Sequence, residues 1–485
     1  MSAQSKDYIR WSIVGGLCFL LVHLMLIFRF APFGDEVWDL SGDCWGVYLA
    51  GGRYTVTLMR AIFSHCGVPV AYGLAASIYF GLAVALQLRI LRLDDVWNRM
   101  VYVVFSVGIV QISYLMINAF IADAVCFGLL AVTLAYWMAE CALKERRLIL
   151  LVFSVFMGML GLGAYQLLAM LLPCLFLAQL LVNRSEPCVA SLSGVLKRCV
   201  YFVLWCAVVV VCNQALASGL KLLCSEEDMQ IVGGYQASLI TWGDMDIVTH
   251  VLHIGKQWCM HLVGITYPGE WVYVTVVGAL LLVLRDVWRG DGAIQLRVVY
   301  SLAAVGLYVL PFLPIAAMGE DRGARLFLSQ PLAYAALWSL ALAPRMKRLP
   351  EWGIGAICLF VLLQAVYEVS SIAYYQQRMY EQSVAARAEI IRLARHTPVP
   401  EGVDVRLCPI VVQGKLRLAI HEADKHNSCI PAPGDDFLEL FLGESILRNV
   451  NPANTSQLAE FADMPVYPSA GSIRYHDGAV LVKLR

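Results

Sequence analysis

"WSIVGGLCFLLVHLMLIFRF", residues 11–30, decides the class of fold. Between Arg10 and Arg29 it contains no charged side chain. Roughly 20 apolar residues at about 1.5 Å of rise each match the thickness of a bilayer's hydrocarbon core. No small-residue cleavage pattern follows it, so the stretch is expected to stay as a membrane span rather than leave as a signal peptide. The rest of the chain agrees. Of 485 residues, 60% are hydrophobic and 15% charged, with a mean hydropathy of +0.68. Soluble domains carry about 25% charged residues.

Further apolar runs of spanning length fall near 68–88, 100–117, 119–138, 148–163, 165–182, 199–219, 270–286, 298–317, 326–343 and 352–373. With the first, they predict about eleven transmembrane helices at roughly 17–25 residues each. The pair at 148–182 is one long run, split at "GLGAYQ". Basic residues cluster in alternate connections: Lys6 and Arg10; Arg89, Arg92 and Arg99; Lys144, Arg146 and Arg147; Arg184, Lys197 and Arg198; Arg285, Arg289 and Arg297; Arg345, Lys347 and Arg348. The opposite connections hold far fewer, namely Arg29, Arg53, Arg60, Lys221, Lys256, Arg322 and Arg325. The positive-inside rule therefore places the N-terminus in the cytoplasm and the C-terminus outside.

The outer side then receives a first loop at 31–67, a longer one at 220–269, and a polar tail from about 374. Residues 1–373 form the membrane domain and 374–485 a small extracytoplasmic α/β domain. The tail opens on a helical stretch, "YEQSVAARAEIIRLARH", and continues with strand-like "VDVRLCPIVV" and "AVLVKLR" around a helical "DDFLELFLGESIL". Six cysteines fall outside, two per outer segment, where disulfides are permitted. Proximity in sequence pairs them as Cys44–Cys66, Cys224–Cys259 and Cys408–Cys429.

The first outer loop carries the unusual chemistry. "FGDEVWDLSGDCWGVYLAGGRY", residues 33–54, crowds Asp35, Glu36, Asp39 and Asp43 against the membrane surface, interleaved with Trp38, Trp45, Tyr48 and Tyr54. Acids beside a membrane are costly to desolvate. The following "RYTVTLMRAIFSHC" places Val56, Met59, Ile62 and Phe63 on one stripe at helical spacing, which predicts a helix lying along the interface. Such a loop reads as a pocket wall. "MGEDRGARLFL" sets Arg322 and Arg325 three apart at the mouth of a span, suited to hold phosphate in bidentate fashion or to anchor lipid headgroups. Tyr165 and Gln166 stand at an outer turn with a hydroxyl and an amide suited to sugar hydroxyls. His250, His253 and His261 are not completed to a zinc pattern by cysteine or carboxylate, so no metal is expected. No nucleotide or cofactor fingerprint occurs, so no cofactor is expected. The balanced net charge lends no support to nucleic acid as a partner.

The acidic pair Asp35-Glu36, the Gly52-Arg53 before an amphipathic helix, and Tyr165-Gln166 at the outer end of a later span together resemble the bacterial and phage O-antigen glucosyltransferases of the GtrII type. Their many-span plan is similar to the wider GT-C class of polyprenyl-phosphate-sugar transferases. In layout the resemblance covers residues 1–375. The chain departs from it in having Asp35-Glu36 where two aspartates are expected, and Trp38-Asp39 where an arginine follows the acids.

The resemblance implies a bacterial inner-membrane, multi-pass glycosyltransferase with its site and C-terminal domain in the periplasm. Its partners would be a polyprenyl-phosphate-linked sugar donor, glucose being the expected sugar, and a polysaccharide or lipid-linked glycan acceptor such as O-antigen. The chemistry of such a transfer suggests roles: Asp35, with Glu36 as the alternative, as the catalytic base; Arg53, Arg322 and Arg325 as candidates for the donor phosphate; Trp38, Asp39, Tyr165 and Gln166 as candidates against sugar or acceptor. The rival classes are an O-antigen polymerase or ligase, and a flippase or transporter of lipid-linked sugar. A transporter favours polar groups at mid-membrane depth. Asp123 and Gln111 are the main ones within or beside the expected spans.

Overall fold

The computed structural model describes residues 3–28, 44–63, 69–108, 119–184, 186, 189–242, 246–263, 271–290, 292–321, 324–405, 408, 410–413, 447–449 and 455–483. It is about 81% helical. The chain divides into two compact units, whose described residues meet between Ser371 and Ile372.

The helices of the first unit are α1 (Ala3–Phe28), α2 (Cys44–Ala50), α3 (Tyr54–Phe63), α4 (Pro69–Ile90), α5 (Val96–Val107), α6 (Ala119–Glu145), α7 (Leu148–Ala164), α8 (Leu171–Val182), α9 (Leu192–Lys221), α10 (Glu226–Leu239), α11 (Ile247–Leu262), α12 (Trp271–Arg289), α13 (Ile294–Val309), α14 (Leu313–Met318) and α15 (Gln330–Leu342). The last span begins in α16 (Glu351–Arg395). An apolar helix covers the described part of every stretch expected to span. Six helical segments among the described residues are long and apolar enough to cross a membrane: 4–28, 70–90, 121–145, 192–221, 294–318 and 351–395. This is an α-helical membrane protein. Helices dominate because hydrocarbon offers backbone groups no partner, so each segment must satisfy its own.

Where apolar side chains face lipid and core alike, close packing selects partners. Gly81 of α4 meets α1 so tightly that a Cβ there would lie 2.7 Å from the Gly16 amide nitrogen. Polar residues then pin the bundle. Gln87 of α4 donates to Thr133 of α6 (3.1 Å) and accepts from Tyr102 of α5 (2.8 Å), all three buried. About two turns further along α6, Glu140 pairs with Arg198 of α9, which reaches Gln179 of α8 (3.2 Å), and Gln179 accepts from Tyr136 at 2.5 Å. A bidentate fork joins Arg345 to Asp286, and Arg99 Nη1 donates to both carboxylate oxygens of Asp7. Several arginines of the basic clusters are thus also fasteners between helices.

The split at 148–182 falls at Tyr165. α7 ends at Ala164, Tyr165 is extended, and a 3-10 turn, Gln166–Met170, leads into α8. The helix at 54–63 forms as expected, yet its apolar stripe is divided. Val56 and Met59 are buried against Tyr48, Ile121 and Ala124, while Leu58 and Ile62 are exposed. It is a helix held on α6, not one lying freely along an interface.

In the second unit, the expected tail helix is no separate element. It continues the last span without a break, α16 running 45 residues to Arg395. A four-stranded sheet follows: β1 (Ile410–Gln413), β2 (Leu447–Asn449), β3 (Ile473–His476) and β4 (Ala479–Lys483), in the order β2-β1-β4-β3. β1 runs parallel to β2 and β4, and β3 antiparallel to β4. Alternation along β4 sends Val480 and Val482 to Ile390 and Ala394 of α16 on one face. Ala479 and Leu481 go to Phe461 and Met464 on the other, Phe461 lying in α17 (Thr455–Asp463). Asp477 and Gly478, both at positive φ, make the tight turn that an Asp-Gly pair favours. Much of the expected helix at "DDFLELFLGESIL" lies outside the described residues.

Candidate functional site

The helix α2 ends in a turn that aims Arg53. Gly52, at φ +73°, donates to Leu49 O (2.9 Å) while Arg53 N donates to Tyr48 O (2.8 Å). That double bond closes a helix by the Schellman pattern and needs a left-handed residue, which glycine supplies without strain. The chain then turns into α3, and its first residues seize the end of α7. Tyr54 OH lies 2.6 Å from Met159 O and 2.9 Å from Asn213 Oδ1. Thr55 donates to Leu160 O at 2.7 Å. Burial pushes the Tyr54 phenol up, which keeps it a donor at neutral pH.

The two short motifs therefore meet. Gln166 donates its amide to Gly51 O at 2.7 Å. The Arg53 guanidinium sits 5.4 Å from the centre of the buried Tyr165 ring, within cation–π range. Among the described residues no carboxylate pairs with Arg53, and the side chain is half-buried. A cation held on an aromatic ring, beside an exposed amide, can receive an anionic oxygen.

Gly52→Ala tests this turn. A Cβ there would lie 3.1 Å from Gln166 Nε2, and an L side chain in that backbone region costs about 1–2 kcal/mol. We expect lower thermal stability of the detergent-solubilised protein. An unchanged melting temperature would remove the turn from the argument.

Beneath the turn, Arg60 of α3 forms a two-pronged pair with Asp123 of α6, at 3.0 and 2.7 Å. Both side chains are buried, and the Tyr72 ring lies 4.3 Å from the guanidinium. Sequence reasoning treated Arg60 as a loop charge and Asp123 as an isolated polar group. The available signal was that each is the lone charge in an apolar stretch.

A second cluster, not legible in the sequence, joins α11 to residues 319–321. His250 of α11 approaches Gly319 O at 2.8 Å and stacks on Trp242. His261 lies 3.0 Å from the Asp321 carboxylate, and Gln257 accepts from Asp321 N at 3.0 Å. The turn at 319–321 is thus gripped from α11, with Asp321 as an additional carboxylate. The three histidines serve packing and hydrogen bonding here. Among the described residues no cluster of three or more His, Cys, Asp or Glu could hold a metal ion.

Arg325 falls in a 3-10 turn, Ala324–Phe327, its side chain outside the described set. Asp35, Glu36, Trp38, Asp39, Arg322 and Gln111 lie outside the described residues, as does the Cys44–Cys66 pairing. The other pairings need correction. Cys224 and Cys259 are free thiols, and so is Cys408. Cys224 hydrogen-bonds Gly46 O at 3.6 Å, whereas Cys259 is on the exposed face of α11. Cys408 is buried and donates to Asp404 O. Nearness in sequence does not pair the first two thiols because Cys224 sits in the turn between α9 and α10, against Gly46, while Cys259 is on the exposed face of α11.

Compared with known protein families, with curated proteins and with solved structures, the chain matches none.

Proposed function

We propose that the chain is a multi-pass membrane glycosyltransferase of GT-C-like plan that moves a sugar, glucose by preference, from a polyprenyl-phosphate donor to a surface glycan acceptor. Its N-terminus would be cytoplasmic, and its site and C-terminal unit would face the periplasm of a bacterial inner membrane. The observation that supports this reading is the interlock of Gly52-Arg53 with Tyr165-Gln166. Two motifs more than a hundred residues apart, picked out together by resemblance, come together at one end of the helices.

The chemistry follows from the donor. Its phosphate is already a competent leaving group, so cationic donors that hold the developing charge suffice. Arg53, with Arg322 and Arg325, takes that part. The acceptor hydroxyl gives its proton to the carboxylate of Asp35, or of Glu36. The acceptor oxygen bonds to the anomeric carbon as the bond from that carbon to the phosphate oxygen breaks. Polyprenyl phosphate departs, and the single displacement inverts the anomeric centre.

Membranes containing the chain are expected to transfer labelled glucose from polyprenyl-phosphate glucose to an O-antigen acceptor. A polymerase or ligase would instead consume a lipid-linked oligosaccharide. A flippase would move the intact donor across the bilayer without releasing polyprenyl phosphate. Either result would replace the present reading.

A further inference from the structure

Helix α11 has its polarity inside out. Its inward face carries buried His250 and His261 around Ile254 and half-buried His253 and Gln257. Its outward face is apolar: Ile247, Val248, Val251, Leu252 and, just past its end, Val263 are 54–76% exposed, and Cys259 joins them. A helix facing water shows the reverse arrangement. Between Asp246 and Glu270 the sequence has one charged residue, Lys256, whose long stem can carry its ammonium to an interface. Asp246 caps the helix by accepting from Val248 N and Thr249 N. The Thr249 hydroxyl and amide hold its carboxyl below the usual range, so this end is charged and wet.

Depth supplies the second argument. At one end, His250 meets Gly319, just past the apolar segment 294–318. At the other, the His261 ring lies 5.6 Å from Phe312 and 4.7 Å from Phe327. Phe312 sits within that apolar segment, roughly 9 Å before its end at 1.5 Å per residue. So α11 lies across the end of a membrane-crossing segment: His250 and His261, eleven residues apart, both reach the 319–321 turn, and His261 also reaches the Phe312 ring within the apolar segment. A half-bilayer of hydrocarbon is about 15 Å deep.

We propose that α11 lies in the membrane surface at the Gly319 end, with Val248, Val251, Leu252, Cys259 and Val263 against lipid acyl chains. The inward histidines and Gln257 then grip the 319–321 turn from the membrane surface. The segment 220–269 is accordingly not wholly a loop in water. This holds independently of the glycosyltransferase reading.

The test uses the unmodified chain in liposomes doped with a phospholipid bearing a diazirine at mid-acyl chain. After photolysis, adducts are mapped by mass spectrometry, alongside hydroxyl-radical footprinting of the same vesicles. Expected are adduct yields on 248–263 matching those of Val203, Leu204 and Val211, the exposed apolar face of α9, with Cys259 and Leu252 spared by aqueous radicals. Radical oxidation of Leu252 and Cys259 without lipid adducts would put this face in water and overturn the proposal. Protection from both reagents would mean that protein covers it, a second copy of the chain for instance, and would overturn it equally.

Discussion

Asp35→Asn is expected to lower sugar transfer by about 10²-fold or more, the scale of a positioned general base, while the protein inserts and accumulates normally. The substitution keeps the shape and hydrogen bonding of the side chain and removes its ability to take a proton. Asp43→Asn, in the same loop but further from the span, is expected to matter far less. The measurement is transfer of labelled glucose by membranes matched for protein content. If Asp35→Asn is fully active and Glu36→Gln is dead, the base is one residue further on and the mechanism stands. Full activity in both single variants and in the double variant would leave the acids as solvated charges and end the catalytic reading.

The second large effect is on stability. Asp123→Ala leaves the Arg60 guanidinium buried at 2% side-chain exposure with its carboxylate gone. Removing one member of a buried ion pair costs about 3–5 kcal/mol, because the remaining charge keeps its desolvation penalty and loses that attraction. The helix that would suffer is α3, which is pinned to α6 by this pair and which begins at the Arg53 turn. Replacing both partners with apolar residues of similar volume, Arg60→Met with Asp123→Leu, should recover most of the loss, since neither charge then needs compensation. Thermal unfolding in detergent reads the difference. A single variant as stable as the parent would show that the pair contributes nothing, and a double variant as weak as the single would show that packing, not charge, holds α3.

Hydropathy alone determined the membrane class and the position of the helix in each apolar run of spanning length, but not α2, α10 or α11, which fall in segments that read as outer loops. The reason is physical: in hydrocarbon a backbone has no partner but itself, so an apolar run of spanning length becomes helix whatever its neighbours. The break at Tyr165 was legible for a related cause, since one run of that length exceeds what a single crossing needs. The residues Arg53, Tyr165 and Gln166 could be named from local sequence as well.

Their meeting could not. Gln166 finding Gly51, Arg60 finding Asp123 and His261 finding Asp321 join residues 60 or more apart. Which helix lies beside which is chosen by side-chain packing across the whole bundle, and no local pattern encodes it. The same holds for the division of the stripe on α3 and for the inverted face of α11. An apolar side chain has the same composition whether it meets protein or lipid, and only the assembled helices decide which.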